Sequence, residues 1–302
     1  MRDIIKTIME YKEEANRNIV ICAPKMGKEP FEKRSRKLRV YAYGGLIAEF
    51  GYSDADNLCI SFLNKSYYAE EKKYITGEGQ RYLSSLPKGN CIQQKKEILL
   101  DKNYWEYASI ATENKFTKGD TPKERNIEST ILEQYMNRSE LSWCIFDMEF
   151  YAPKAWKEKN GIMGKPDLVC FDGEKFGLIE LKYNNRACDD GKNKSGLNKH
   201  FNDLKRTAQH AEPIIEELKR RVEVCDSIYT DKFIRKSMCD KIKSAANEVW
   251  FGFLFVNDDG SDPKKKIKKL EDTKDEARIM CVNKYSEIEE WKWSTRSELL
   301  GE

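Results

Sequence analysis

Asp167, Glu180 and Lys182 are the side chains whose types and spacing point most clearly to chemistry. Asp167 precedes the apolar run Leu168-Val169-Cys170-Phe171, and Glu180-Leu181-Lys182 closes the run Phe176-Gly177-Leu178-Ile179, with Asp172-Gly173-Glu174-Lys175 between them. Two short apolar runs separated by a glycine-containing turn read as a β-hairpin. With Gly173-Glu174 as the two-residue turn, Asp172 faces Lys175, and counting back sets Asp167 opposite Glu180. Side chains alternate along a strand, so Lys182 shares that face, while Val169, Phe171, Phe176 and Leu178 carry it inward as core. Facing carboxylates roughly 5 Å apart at Cβ repel one another unless a positive charge lies between them. A divalent cation meets that need.

Glu-x-Lys alone carries little information in a chain so rich in both residues. The spacing occurs seven times, for example at Glu10-Tyr11-Lys12, Glu113-Asn114-Lys115 and Glu217-Leu218-Lys219. Six of the seven lie in helical or polar stretches, where a solvated pair needs no further account. Only Glu180-Leu181-Lys182 ends an apolar run, where burial makes a charge costly unless it is paired or used. A structural ion-paired cluster is the competing account of the same residues.

The elements that must position this hairpin follow from periodicity. Lys123 to Met136 reads as a helix after Thr121-Pro122, with Ile127, Ile131, Leu132 and Tyr135 at helical spacing and Glu128 on the apolar face. Ile145–Tyr151 is expected as a first strand, Leu168–Phe171 as a second and Phe176–Tyr183 as a third. Leu197–His210 then reads as a helix, and Glu248–Asn257 as a nearly continuous apolar strand of the kind buried on both faces. Arg278–Tyr285 adds a further strand.

Pro166-Asp167 followed by Glu180-Leu181-Lys182 on the next strand resembles the core motif of the PD-(D/E)xK nuclease superfamily, which has the restriction-endonuclease-like fold. The order of helix, hairpin, helix and strand over residues 121–257 is similar to that superfamily's core. The resemblance implies an α/β (α+β) fold with a central mixed sheet flanked by helices. It also implies a divalent-metal-dependent phosphodiesterase that cleaves nucleic acid, DNA in preference to RNA, leaving a 5′-phosphate and a 3′-hydroxyl. Asp167 and Glu180 would hold Mg²⁺ (or Mn²⁺), with the main-chain carbonyl of Leu181 a third ligand. Lys182 would orient or help deprotonate the attacking water, and Glu128 would enter the pocket from the preceding helix. Restriction, repair and anti-phage defence are roles found across the superfamily. A nucleic-acid-binding or scaffold protein of the same fold without turnover is the alternative.

The chemistry supports those assignments independently: Mg²⁺ prefers hard oxygen ligands and few protein carboxylates. Glu124 and Glu133 are alternatives to Glu128 on neighbouring helical turns. Asp147 and Glu149 alternate outward on the first strand, where they could feed the acidic cluster, although solvent-facing strand acids are the favoured account. Lys199, His200, Asp203, Lys205 and Arg206 on the following helix could meet phosphate or form a solvated face, with His200 either supporting the site or at the surface. With His200 and His210 the only histidines, a histidine-based metal site is poorly supported.

Composition bounds the remainder. The 302 residues form a strongly polar chain, 39% hydrophobic and 35% charged, long enough for one large domain or two modest ones. Residues 121–302 are read as the nuclease-like domain. Residues 1–120 are read as an α+β accessory region for recognising substrate or partner, including self-association as a homodimer. There Met1–Arg17 is expected as a helix and Asn18–Cys22, Arg39–Tyr52 and Asn57–Leu63 as strands, with a bulge or bend at Gly44-Gly45. No apolar run is long enough to span a bilayer and Met1-Arg2-Asp3-Ile4-Ile5-Lys6 lacks a signal-peptide block, so no membrane association and a cytoplasmic location are expected. Nine cysteines occur without a C-x-x-C pair, which suits reduced thiols, several of them buried, and not zinc. The net charge of +3 is only mildly basic. Lys33–Arg39 and Lys264–Lys269 are local basic runs, each either a solvated surface or a phosphate-binding patch.

Overall fold

The computed structural model describes residues 2–22, 37–52, 58–62, 74–87, 92–117, 124–136, 138, 140–148, 150, 152–183, 196–228, 236–257, 260, 262–268, 270 and 275–301. In chain order the first half comprises α1 (Arg2–Ala15), β1 (Ile19–Cys22), β2 (Lys37–Ala42), β3 (Gly45–Tyr52), β4 (Leu58–Phe62), α2 (Gly77–Ser85), α3 (Ile92–Leu99) and α4 (Lys102–Thr117). The second half continues with α5 (Glu124–Tyr135), β5 (Cys144–Met148), α6 (Lys154–Lys159), β6 (Leu168–Phe171), β7 (Phe176–Tyr183), α7 (Leu197–Gln209) and α8 (Glu212–Ile228). It closes with α9 (Lys236–Ser244), β8 (Val249–Val256), α10 (Pro263–Ile267), β9 (Arg278–Val282), a 3-10 turn at Tyr285–Glu290 and α11 (Arg296–Leu300). Among the described residues no helix is long and apolar enough to cross a membrane.

Among the described residues the fold is α+β with two sheets. Strands β1 to β4 form an antiparallel sheet in sequential order, and β5 to β9 form a five-stranded mixed sheet, also in sequential order. In the mixed sheet β5, β6 and β7 pair antiparallel, while β7, β8 and β9 run parallel. The alternating faces of β6 and β7 feed two hydrophobic layers. Val169, Phe171, Phe176 and Leu178 pack with Leu197, Phe201 and Leu204 of α7. Leu168, Cys170, Ile179 and Leu181 pack with Ile131, Leu132 and Tyr135 of α5. Strand β8, apolar almost throughout, is buried on both faces as its composition requires.

Several elements differ from the sequence expectation for identifiable reasons. Strand β5 begins at Cys144 and ends at Met148, short of Tyr151, which lies outside the described residues, as does Glu149. A register shift between Ile145 and Asp147 breaks its alternation. A bulge of this kind re-aims the residues beside it, so Asp147, expected to face solvent, is only 2% exposed, with Oδ1 accepting the Met148 N–H at 2.9 Å. Arg39–Tyr52 is a hairpin of two strands, not one bent strand, because Tyr43 and Gly44 both adopt positive φ, 49° and 79°, and reverse the chain. The bulge of this ribbon falls at Val40/Tyr41. The basic run 33–39 lies outside the described residues up to 36, and Arg39 is buried against Glu49 at 2.6 Å. In the second run Lys266 is also buried, donating to Asn257 Oδ1 at 2.6 Å.

The first 117 residues pack directly on α5. Asn18 Nδ2 donates to Thr130 Oγ1 and Ser129 Oγ donates to Asn18 Oδ1, each at 3.0 Å, and Lys12 pairs with Glu133 at 2.9 Å. A Cβ on Gly44 would come 2.3 Å from the Arg125 carbonyl oxygen, so only glycine lets the β2–β3 turn approach the first turn of α5. Val20 and Tyr41 share a buried cluster with Ile131, Ile145 and Leu168.

Candidate active site

The β6–β7 register is the one counted from the turn: Phe171 pairs with Phe176, and Leu168 with Ile179. Asp172 N–H donates to Lys175 O at 3.0 Å and closes the turn, with Gly173 at φ 104°. At Asp167 the ladder ends. Its N–H donates to Ile179 O at 3.0 Å, while its Oδ2 accepts the Leu181 N–H at 2.9 Å. The side chain thereby takes over from the backbone at the mouth of the hairpin. It is the Leu181 N–H that the structure records at Asp167, and the Leu181 side chain points into the α5 layer.

Glu180 and Lys182 lie on the other face, 2% and 4% exposed. Lys182 Nζ donates to Glu180 Oε1 at 2.6 Å, and His200 Nδ1 lies 2.7 Å from the same oxygen. His200, with 20% of its side chain exposed, therefore reaches the site from the partly solvated side of α7. The same helix pins the loop that delivers Asp167: Asp203 accepts the Met163 N–H at 3.0 Å and the Gly164 N–H at 2.7 Å, and Arg206 donates to the Gly161 carbonyl at 2.7 Å. Lys199, Lys205 and Arg206 lie on this helix too; Lys205 pairs with Glu276 at 2.6 Å.

Helix α5 brings two acids to this end of the sheet. Glu128 is 3% exposed and close enough to raise the Asp167 carboxyl electrostatically. Glu124, the neighbour one turn earlier, interacts with Lys182, Glu180 and His200 and accepts a hydrogen bond from the Tyr183 main chain. Glu133 faces away, toward Lys12 of α1. The sequence placed one helix acid here with alternatives; the structure brings in two, because residues four apart on a helix share a face. Lys165, adjacent to Pro166-Asp167, was missed as a contributor. It interacts with Glu128, Asp167 and Glu180, and its proximity to the motif was the available signal.

Burial and like charge set the electrostatics. Asp167 is pushed well above the ordinary aspartate range by desolvation, then by Glu180 and Glu128, with Lys182 opposing. Burial alone would raise Glu180 as well, yet Lys182 and His200 hold it below the usual carboxylate value. The pull of Glu180 and Asp167 raises the Lys182 ammonium, overcoming desolvation. Burial lowers Lys165, against the attraction of Glu128 and Asp167. Burial raises Glu124.

The donor set suits a hard divalent cation: it is all carboxylate, and Glu180 Oε2 and Glu124 Oε1 are buried oxygens without a hydrogen bond. Among the described residues no group of three or more His, Cys, Asp or Glu side chains is arranged to hold a metal. The reason lies in the contacts above: Asp167 is engaged by the Leu181 amide, and one oxygen of Glu180 by Lys182 and His200. Elsewhere Cys144, Cys170, Cys239 and Cys281 are reduced thiols outside any disulfide. No family model, no curated protein and no solved structure matches the chain, so the functional reading rests on these residues.

Proposed function

We propose that the protein is a divalent-metal-dependent nuclease with a restriction-endonuclease-like core, hydrolysing phosphodiester bonds in nucleic acid, with DNA the preferred substrate. The observation that carries this reading is the meeting of Asp167, Glu180, Glu128 and Glu124 with Lys182 and Lys165 at the carboxyl end of β7, where Glu180, Glu128 and Lys182 are buried, the other three are partly so, and like charges are costly without a use. Asp167, Glu180 and Glu124 would hold Mg²⁺ or Mn²⁺. When bound, the metal supplies Lewis-acid charge neutralisation for phosphoryl transfer.

The chain's own groups account for the remaining roles. Lys182, kept cationic by Glu180 and Asp167, neutralises charge developing on the scissile phosphate and orients the attacking water. Lys165 has its ammonium destabilised by burial, so it is the better placed of the two lysines to exchange a proton. His200 holds the Glu180 carboxylate in place from α7. Glu128 adds negative potential that favours a cation beside Asp167.

The test is a panel of labelled single- and double-stranded DNA and RNA, incubated with Mg²⁺, Mn²⁺ or EDTA. Cleavage that needs the metal and is lost in folded Asp167→Ala and Lys182→Ala variants is the expected result. Equal cleavage by those variants would sink the reading. A second reading, a nucleic-acid-binding protein of this fold without turnover, is favoured by one observation: Lys182 and His200 already engage Glu180. Metal-independent binding without cleavage in the same panel would select it.

A further inference from the structure

At the opposite end of the mixed sheet, four of the six tryptophans gather around the β6–β7 turn. Trp143 and Trp291 stack with centroids 3.8 Å apart, and Trp293 packs edge-on against Trp250 at 4.9 Å and Trp291 at 5.3 Å. Trp291 is held at φ 47°, in the left-handed region that a bulky residue rarely adopts. Beside this cluster lies an open cavity of about 560 Å³, within the roughly 300–1,000 Å³ range of small-molecule sites. Trp291, Trp293, Arg278, Lys241, Asp172 and Glu174 are among the residues lining it.

The wall of this cavity is rigid where rigidity matters. Asp172 Oδ2 accepts from Trp250 Nε1 at 2.9 Å and from Arg278 Nη1 at 3.3 Å, while its Oδ1 accepts the Glu174 and Lys175 N–H groups. The Arg278 guanidinium lies over the Trp250 ring, 4.6 Å from its centroid. Asp172 is thus committed to structure. Glu174 and Lys241, both exposed, bring one charge of each sign to the rim.

We propose that this cavity binds a nucleobase, carried either by a free mononucleotide or by an unpaired position of a strand. Half-buried indole surfaces offer a flat face for stacking, which every base can use. Glu174 supplies an acceptor for base or sugar donors, and Lys241 with Arg278 supplies positive charge for a phosphate. The mixed charge at the rim favours a neutral ring bearing one phosphate over a long polyanion bound by charge alone. The site shares no residue with the carboxylate cluster: along β7 the four steps from Phe176, beside the turn, to Glu180 span roughly 13 Å at about 3.3 Å each. The inference goes beyond the nuclease reading and stands without it.

The test titrates the full chain in EDTA, where strands stay intact, with purine and pyrimidine mononucleotides, short unpaired oligonucleotides and a disaccharide control, reading tryptophan quenching and calorimetric heat. Saturable quenching by mononucleotides assigns a free nucleotide, and quenching by oligonucleotides alone assigns a base in a strand. Lys241→Glu, at an exposed position, should weaken binding of the phosphate-bearing ligands about tenfold, the effect of one charge-assisted contact. Trp293→Leu, checked for folding by circular dichroism, should abolish the quench. The proposal is overturned by no binding of either nucleotide source, by equal binding of the disaccharide, or by binding indifferent to both variants.

Discussion

An aspartate that burial and two neighbouring glutamates push toward protonation makes stability depend on pH in a defined direction. Asp167 holds its proton more tightly folded than unfolded, so its stabilising contribution is present below the ordinary aspartate range and is lost as pH rises through the raised folded value. At neutral pH an ionised Asp167 opposes folding. Asp167→Asn should therefore raise the melting temperature of the metal-free protein at pH 7, by about 2–4 °C for each kcal/mol relieved, with the gain disappearing at low pH. Thermal melts across pH check this, and an Asn variant that melts lower at pH 7 contradicts it. Mg²⁺ should raise the melting temperature of the wild type and have little effect on this variant, because bound ligand stabilises only the state that binds it. Lys182 has the opposite role. Removing it leaves the buried Glu180 carboxylate without its ion-pair partner and with His200 as its remaining side-chain contact, so Lys182→Met should cost about 3–5 kcal/mol by urea denaturation. A loss below about 1 kcal/mol would show that Glu180 does not depend on the lysine.

The elements around these residues were legible to different depths. Leu168–Phe171 and Phe176–Tyr183 are short apolar runs around a glycine turn, so both strands and their register followed from local rules. Strand β8 was equally plain, because a strand buried on both faces needs apolar residues at every position. Asp147 was misplaced since nothing in Cys144–Met148 announces the bulge that turns it inward. His200 could not be assigned because its contact with Glu180 depends on how α7 docks on the sheet, a tertiary matter that periodicity leaves open. Gly44 is a similar case. The sequence marks a bulge or bend there, but its close approach to the Arg125 carbonyl joins residues 81 apart in sequence. Gly44→Ala places a Cβ 2.3 Å from that oxygen at φ 79° and should cost about 1–3 kcal/mol while displacing the first turn of α5. Its Mg²⁺-dependent thermal shift should fall, since Glu124 and Glu128 move with that turn. An unchanged shift would separate α5 from the site.

At the scale of the whole molecule, the two sheets share buried surface. Val20 and Tyr41 of the first lie in one cluster with Ile131, Ile145 and Leu168 of the second part, and Asn18 bonds both Ser129 and Thr130. Residues 1–120 were readable as strands and a helix, but their attachment to α5 was not, because it is made by side chains far apart in sequence. Unfolding of the full chain should be a single transition, and a fragment of residues 121–302 should lack cooperative melting by calorimetry. Two resolved transitions, or a fragment that melts cooperatively, would show the halves to be independent.

On the proposed reading the cluster at the carboxyl end of β7 uses a divalent cation to break phosphodiester bonds. The most direct measurement of this is the single-turnover rate of strand cleavage against Mg²⁺ concentration, for the wild type and for Asp167→Asn confirmed folded. A saturable, EDTA-reversible rate that falls at least about a hundredfold in the variant is predicted, the scale of losing one preorganised electrostatic group. A rate that ignores Mg²⁺, or persists undiminished in Asp167→Asn, would contradict it.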